Sequence, residues 1–193
     1  MEQEAIRAYL YQIGTHDDGA AFKTLYRHYF ARLLQFAFVM VHAKEPAEEI
    51  VNDVFINLWR RRAQLYKIDN PDVYLYVAVK NKALDYLSKN HLQENVDIEK
   101  LSAGYLQFFM DPEKILISGE LQKQITQAVE QLPARCKLIF KLIREDGLKY
   151  KETAAILNLS VKTVEAQMAI AVKKLAAVLL PPSKTGKPQR IKP

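Results

Sequence analysis

Apolar residues recur every three or four positions along much of this chain, a spacing that predicts amphipathic α-helices. The clearest stretch covers residues 132–180, and two short breaks interrupt it. Gly147 ends the first helix, because glycine readily takes the left-handed conformation of a helix C-terminus. Asn158 and Ser160 bracket a second turn, in which Asn tolerates that conformation and Ser can cap the next helix. Two helices joined by so short a turn form a helix-turn-helix, whose second helix enters the DNA major groove, although an ordinary helical bundle shows the same spacing.

Further helices are predicted in the first ninety residues. They cover residues 3–13, 20–42, 46–62 and 72–89. A loop is predicted between the last two, because Asn70 precedes a proline and is pushed out of helical geometry. The fold class is therefore predicted to be all-α.

The helices fall into two groups, which predicts two helical domains joined by a linker. Residues 1–90 form the first domain, 91–111 the linker, 112–180 the second domain and 181–193 a basic tail. The linker is acidic and lacks a clear period, and the proline-rich tail is predicted to be disordered. The linker also carries an apolar cluster that would be costly to leave in water, consisting of Tyr105, Leu106, Phe108, Phe109 and Met110.

Positive charge is concentrated in the second half of the chain. The net charge is +6, and residues 120–180 contribute ten Lys or Arg against six Asp or Glu. The tail adds four basic residues and no acidic one. A surplus of this kind is needed for binding phosphates by counterion release, although a solvated basic face alone would look the same.

The residues that could take part in catalysis do not form any recognisable catalytic motif. The six glycines are scattered rather than gathered in a phosphate-binding loop, and the four histidines lack the paired spacing of metal ligands. Cys136 is the only cysteine and is expected to be buried. We therefore expect no enzyme activity, no cofactor, no metal and no small-molecule substrate. The N-terminus lacks a signal-peptide pattern and the apolar runs are short, so a cytoplasmic location is expected.

The helix over residues 72–89 interleaves aromatic and basic side chains. It presents Tyr74, Tyr76 and Tyr86 together with Lys80, Lys82 and Lys89. Such a surface suits single-stranded DNA, because rings stack on bases while cations hold phosphates. The tyrosines could equally line the core with their hydroxyls at its rim, and both interpretations stay open.

Three segments, taken in order, resemble the extracytoplasmic-function group of the bacterial sigma-70 family. AEEIVNDVFINLW, residues 47–59, is similar to the family's polymerase-binding helix in region 2. YLYVAVKNKALDYL, residues 74–87, is similar to the helix that engages the −10 promoter element. GLKYKETAAILNLSVKTVEAQMAIAVKKL, residues 147–175, is similar to region 4, which contacts the −35 element. The family often has longer polar side chains where this chain has Ala166, so we expect shape readout and phosphate contacts to carry more of the specificity.

The resemblance implies three sets of site residues. The −35 element would be contacted by Lys151, Ser160, Lys162, Thr163, Glu165, Ala166, Gln167 and Lys173. The −10 strand, with a base flipped out of the stack, would be held by Lys67, Asn70, Tyr74, Tyr76, Lys80, Asn81 and Lys82. The polymerase would be bound by Glu48, Glu49, Asn52, Asp53, Asn57 and Arg60.

The resemblance also implies partners. They are core RNA polymerase, through the clamp helices of its β′ subunit, promoter DNA, and a membrane-anchored anti-sigma factor. We further expect the free protein to close its two domains over the apolar linker cluster, masking residues 74–82 and 162–173. Two alternatives remain: a stand-alone helix-turn-helix regulator with an N-terminal helical sensor domain, and a protein-interaction adaptor.

Overall fold

The computed structural model describes residues 3–90, 127–129 and 131–179, and every regular element in those ranges is helical. The linker, the tail and the start of the second predicted domain lie outside the described residues, so those boundaries stay predictions. In chain order the elements are α1 (Gln3–His16), α2 (Gly19–Val41), α3 (Lys44–Arg60), a 3₁₀ helix (Arg62–Lys67), α4 (Pro71–Lys89), α5 (Ala134–Arg144), α6 (Tyr150–Leu157) and α7 (Val161–Leu179). The all-α prediction is confirmed for the described part of the chain.

Local side-chain chemistry sets where the helices begin. The carboxylate of Asp18 accepts hydrogen bonds from the backbone N–H groups of Ala20 and Ala21 at the start of α2. The side chain of Asn70 accepts from Val73 N at 3.0 Å and caps α4, whose first residue is a proline. These caps accept hydrogen bonds from backbone N–H groups that would otherwise be unsatisfied at the helix N-terminus.

The helix-turn-helix prediction is confirmed in its details. Gly147 has φ +77° and Asn158 has φ 55°, so both adopt the left-handed conformation that the sequence predicted. Ser160 caps α7 by accepting a hydrogen bond from Thr163 N at 3.0 Å. The axes of α6 and α7 are bent by 111° across this turn, within the range typical of the motif.

Each helical unit has a buried apolar core. In the first unit α2 packs against α3 and α4, and Leu25, Leu33 and Val51 are fully buried. In the second, residues of α5, α6 and α7 form the clusters beneath the helix-turn-helix, and Cys136 is buried there as expected. Rigid packing of this kind holds the exposed faces of α3, α4 and α7 in fixed orientations.

The two units contact each other directly, through α4 and α6. Leu142, Leu148 and Ile156 of the second unit join the core of the first unit. The expected closure is therefore present, but its described contacts are made by the helices themselves, and the apolar linker cluster lies outside the described residues. The prediction that closure also masks residues 162–173 is wrong, because Lys162, Glu165 and Ala166 are exposed.

Candidate nucleic-acid interface

One side of α7 carries most of the residues predicted to contact the −35 element. Val164, Met168 and Ala171 point into the core beneath it. The opposite side is exposed or half-buried and presents the predicted Lys162, Thr163, Glu165, Ala166, Gln167 and Lys173, with Lys151 exposed nearby in sequence on α6. The buried residues recur at helical spacing and fix the rotation of α7. The predicted contact residues of α7 itself therefore share a single accessible face.

Two residues on this face are held by neighbours rather than fully free. The hydroxyl of Ser160 lies 2.8 Å from that of Thr163, so the predicted contact residue Ser160 also serves as the helix cap. The backbone carbonyl of Gln167 accepts a hydrogen bond from the Cys136 thiol at 3.2 Å, a contact that does not involve the half-buried side chain of Gln167. The apolar residue Ile170 is 42% exposed on the same helix.

A cleft of about 490 Å³ lies where the 3₁₀ helix meets the start of α4. Tyr74, which is 39% exposed, and Asn70 line it together with Lys67, so three of the predicted −10 residues meet there. The remaining wall is formed by Arg61, Gln64, Leu65, Ile68, Asp69 and Val73. An aromatic ring beside cations and amide groups is the chemistry that holds an unstacked base.

Tyr76 does not lie on this surface. It is fully buried, and its hydroxyl donates a hydrogen bond to the Asp146 carboxylate at 2.6 Å. In this arrangement it cannot stack on a base, and the core interpretation of the tyrosines applies to Tyr76. Tyr74, two residues earlier, points to the opposite, accessible side of the helix.

Two of the predicted −10 residues, Lys80 and the cleft residue Asn70, are engaged by the second helical unit. Lys80 Nζ donates to the carbonyl oxygen of Ile156 at 2.7 Å, and burial lowers the pKa of this lysine. Asn70 Nδ2 donates to Glu152 Oε1 at 2.8 Å. Helix α6 therefore covers part of the predicted −10 surface, whereas Asn81 remains exposed.

Asp146 occupies an unusual position for a carboxylate. Burial raises its pKa to about 6, against a lowering effect of the hydrogen bond from Tyr76. Its own backbone carbonyl accepts a hydrogen bond from Arg32 Nη1 of α2 at 3.1 Å. Asp146 thus touches two helices of the first unit.

The predicted polymerase-binding residues follow the outer side of α3. Glu49, Asn52 and Arg60 are exposed, and Glu48, Asp53 and Asn57 are half-buried. Asp53 forms an ion pair with the predicted −10 residue Lys82 at 3.0 Å, and Asn52 Oδ1 accepts from the Tyr26 hydroxyl at 3.0 Å.

An apolar groove of about 500 Å³ lies beside this polar row, between α2 and α3. Phe22, Phe55 and Trp59 line it, together with Ile56, which is 49% exposed. Helical spacing assigns Phe22, Phe55 and Trp59 to the apolar stripes of α2 and α3, and the sequence analysis did not predict the groove. Ile56 carried a usable signal, because it is a large apolar residue one position off that stripe.

Two family models match the chain. Sigma-70 region 2 matches residues 25–92, and Sigma-70, region 4 matches residues 122–175. The chain belongs to the sigma-70 family, in its extracytoplasmic-function group. The region 2 match covers α3, α4 and most of α2 in the first helical unit, and the region 4 match covers the helix-turn-helix unit, so the two units are named region 2 and region 4 below.

Curated relatives agree with this placement. The ECF RNA polymerase sigma-E factor of Escherichia coli K12 is 27% identical over 127 residues, covering 62% of this chain and 66% of the relative. The RNA polymerase sigma-H factor of Pseudomonas aeruginosa is 22% identical over 171 residues, covering 85% of this chain and 89% of the relative. The chain thus matches slightly less than two thirds of the sigma-E relative's length.

Two solved structures share the fold. CnrH, in complex with the cytosolic domain of CnrY, is 22% identical with a TM-score of 0.54, covering 93% of this chain and 99% of CnrH. The sigma factor RpoE, in complex with the anti-sigma factor NepR from Bartonella quintana, is 20% identical with a TM-score of 0.51, covering 84% and 98%.

The described residues contain no group of three or more His, Cys, Asp or Glu side chains that could hold a metal ion. No single helix among them is long and apolar enough to cross a membrane, and only the bent pair α6 and α7 meets those criteria when taken together.

Proposed function

We propose that this chain is an alternative sigma factor, which binds core RNA polymerase and directs promoter recognition and melting. The observation that carries the proposal is the presence, in one chain, of region 2 with a base-sized cleft and region 4 with an exposed helix-turn-helix face. In this role the chain supplies binding surfaces and no catalytic chemistry of its own.

Helix α7 would enter the major groove of the −35 element. Gln167 can pair with adenine through two hydrogen bonds, and Lys162 can reach a guanine or a phosphate. Lys151 and Lys173 would contact phosphates, which position the protein without distinguishing bases. Since Ala166 offers no hydrogen bond, this helix makes few direct base contacts, and DNA shape has a larger share in promoter choice.

The cleft lined by Lys67, Asn70 and Tyr74 would hold a base of the melted −10 strand. Extruding a base costs a few kcal/mol, which stacking on Tyr74 and hydrogen bonds to Asn70 would offset. The exposed Asn81 and the lysines of α4 would follow the strand's backbone.

The outer side of α3 and the neighbouring apolar groove would bind the polymerase clamp helices. The groove offers Ile56 and aromatic side chains for burial, while Glu49, Asn52 and Arg60 form a polar rim. An apolar centre surrounded by polar groups is typical of a protein–protein interface.

The closed arrangement is incompatible with promoter binding. By their names the −10 and −35 elements lie about 25 bp apart, which is roughly 85 Å at about 3.4 Å per base pair of B-DNA. Regions 2 and 4 contact each other through α4 and α6, and Asn70 and Lys80 are occupied by Glu152 and Ile156. The two regions must therefore separate before both elements are contacted, and core polymerase would supply the energy by binding both regions apart.

We further propose an anti-sigma partner and a cytoplasmic location. A free alternative sigma factor would compete continuously for core polymerase, so its control needs an inhibitor. Both structural neighbours described above were solved with a second protein bound, one of them named an anti-sigma factor. A membrane-anchored inhibitor with a cytoplasmic segment would fit this chain in the same way.

Transcription in vitro tests the proposal. Purified protein is added to core polymerase and genomic promoter fragments, with core polymerase alone and protein alone as controls. We expect specific initiation only when both are present and weak promoter binding by the protein alone. A stand-alone regulator would instead bind its operator tightly without core polymerase, and an adaptor would bind no DNA in either mixture.

A further inference from the structure

Helix α1 lies outside the segment that matches region 2, since that match begins at residue 25. It nevertheless packs against the 3₁₀ helix, which leads into the loop that lines the base-sized cleft. Ile6, Leu10 and Ile13 of α1 are buried in the same apolar core as Leu65 of the 3₁₀ helix. The cleft is therefore supported by α1, a helix that lies outside the segment matched by the region 2 model.

The far end of the cleft segment is tied to α1 by hydrogen bonds. Arg7 Nη2 donates to the backbone carbonyl of Asp69 at 3.0 Å, and Asp69 lines the cleft one residue before Asn70. Gln3 lies 3.5 Å from Asp72 Oδ2 at the start of α4, and the other Asp72 oxygen accepts from Tyr29 at 2.8 Å. These contacts fix the backbone immediately before Asn70, the residue that caps α4.

The near end is fixed by close backbone packing. A Cβ atom on Gly14 would lie 2.9 Å from the carbonyl oxygen of Arg62, so α1 approaches the 3₁₀ helix more closely than any side chain allows. Asp17, in the turn after α1, forms an ion pair with the Arg62 guanidinium, whose carbon lies 4.9 Å above the Trp59 ring. Both ends of the segment from Arg62 to Asn70 are thus held by α1 or by the turn that follows it.

We propose that α1 holds the Arg62–Asn70 segment in the conformation that receives the −10 base, with Arg7 and Gly14 as positioning residues. The inference rests on the proposed function. A cleft that is already formed loses little conformational freedom when a base enters, whereas a loose segment must be ordered at that step. Neither residue lines the cleft, and both act through the backbone of the segment.

The test uses complete protein bound to core polymerase and a promoter with 2-aminopurine in the −10 strand, whose fluorescence rises when the base unstacks. The variants are Arg7→Ala, Arg7→Lys and Gly14→Ala, with Arg27→Ala, an exposed residue of α2, as the matched control. Affinity for core polymerase and the thermal midpoint are measured for each. A second template with a mismatched, already open −10 region separates base capture from duplex melting.

We expect Arg7→Ala to reduce the captured fraction about three- to tenfold on both templates, as the loss of one solvent-exposed hydrogen bond of ordinary strength implies. Arg7→Lys keeps one donor and should stay within about twofold of the parent. Gly14→Ala should reduce capture at least as much as Arg7→Ala, because the Arg62 backbone has to move. Affinity for core polymerase should match that of Arg27→Ala throughout.

Capture by Arg7→Ala and Gly14→Ala equal to that of Arg27→Ala would overturn the positioning role while leaving the proposed function intact. A parallel loss of core affinity and capture would also overturn it, since α1 would then merely support the fold. Absence of any fluorescence change with the parent protein and core polymerase would instead refute the proposed function itself.

Discussion

The hydroxyl of Tyr76 on α4 lies 2.6 Å from Oδ2 of Asp146, in the turn between α5 and α6. The two residues are 70 positions apart in the sequence and join region 2 to region 4. Arg32 reaches the backbone of the same Asp146, and Lys80 reaches the end of α6. Together these contacts hold region 4 over part of the surface that would receive the −10 strand.

Tyr76→Phe should weaken the closed arrangement. The substitution keeps the ring in the core but removes the donor to a half-buried carboxylate, which costs about 1–3 kcal/mol. Small-angle scattering should show a larger radius of gyration for this variant. Tyr86→Phe, a half-buried tyrosine on the same helix, is the matched control. Equal radii for Tyr76→Phe and its control would contradict the role of the hydrogen bond.

The closed arrangement should be favoured by mild acid. Burial raises the pKa of Asp146 to about 6, whereas in open protein this pKa would return towards the ordinary aspartate value of 3.8. Closed protein therefore binds a proton that open protein does not, and this contribution is lost as the pH rises through about 6. The charged groups acting on Asp146 are Arg32, Lys141 and Glu145. Between pH 7 and pH 5 the ratio of closed to open protein should rise about tenfold.

Asp146→Asn provides the control for this pH dependence. Asparagine keeps the shape and can still accept the Tyr76 hydrogen bond, but it does not titrate over this range. Fluorescence energy transfer between one dye on region 2 and one on region 4 should vary between pH 5 and pH 7 in the parent. It should stay nearly constant in the variant. The same pH profile in both proteins would assign the effect to another group.

Asn52→Ala combined with Asp53→Arg should weaken binding to core polymerase. Asp53 is only half-buried in its ion pair with Lys82, so loss of that pair costs about 0–1 kcal/mol and should leave the fold intact. Lys23→Ala, exposed on α2, serves as the control. Core affinity unchanged from that control, measured by co-purification or titration, would remove α3 from the polymerase interface.

The helix-turn-helix residues should separate into two kinds of promoter contact. Gln167→Ala should cost about 1–3 kcal/mol at particular −35 base pairs. Lys173→Ala should weaken all promoters alike and lower the salt slope by about 1. Both are tested with the polymerase complex on a set of −35 substitutions. An identical base profile for the parent and Gln167→Ala would exclude direct base contact by this side chain.

Local chemistry in the sequence was sufficient to predict region 4. Gly147, Asn158 and Ser160 each favour one backbone role whatever surrounds them, and each has that role in the structure. The helices of region 2 were predicted to within a few residues for the same reason. The order of the helices along the chain and the polar residues on their outer faces also indicated α3, α4 and α7 as the helices that carry function.

The placement of Tyr76 could not be predicted in this way. An aromatic residue beside lysines suits either DNA or the core, and the choice depends on how α4 is rotated against α2 and α6. The Asp146 partner depends on the arrangement of two domains, which short-range patterns do not encode. The groove at Ile56 was missed because helical spacing assigns a stripe to the core without showing where two helices leave that stripe uncovered.

The distance between regions 2 and 4 tests the central claim most directly. Dyes attached through Arg27→Cys on α2 and Ala177→Cys on α7 occupy exposed positions, while the native Cys136 is buried. We predict high energy transfer in the free protein and low transfer once core polymerase and promoter DNA are bound, since the two elements lie roughly 85 Å apart at about 3.4 Å per base pair. High transfer that persists in a complex actively initiating transcription would contradict the account.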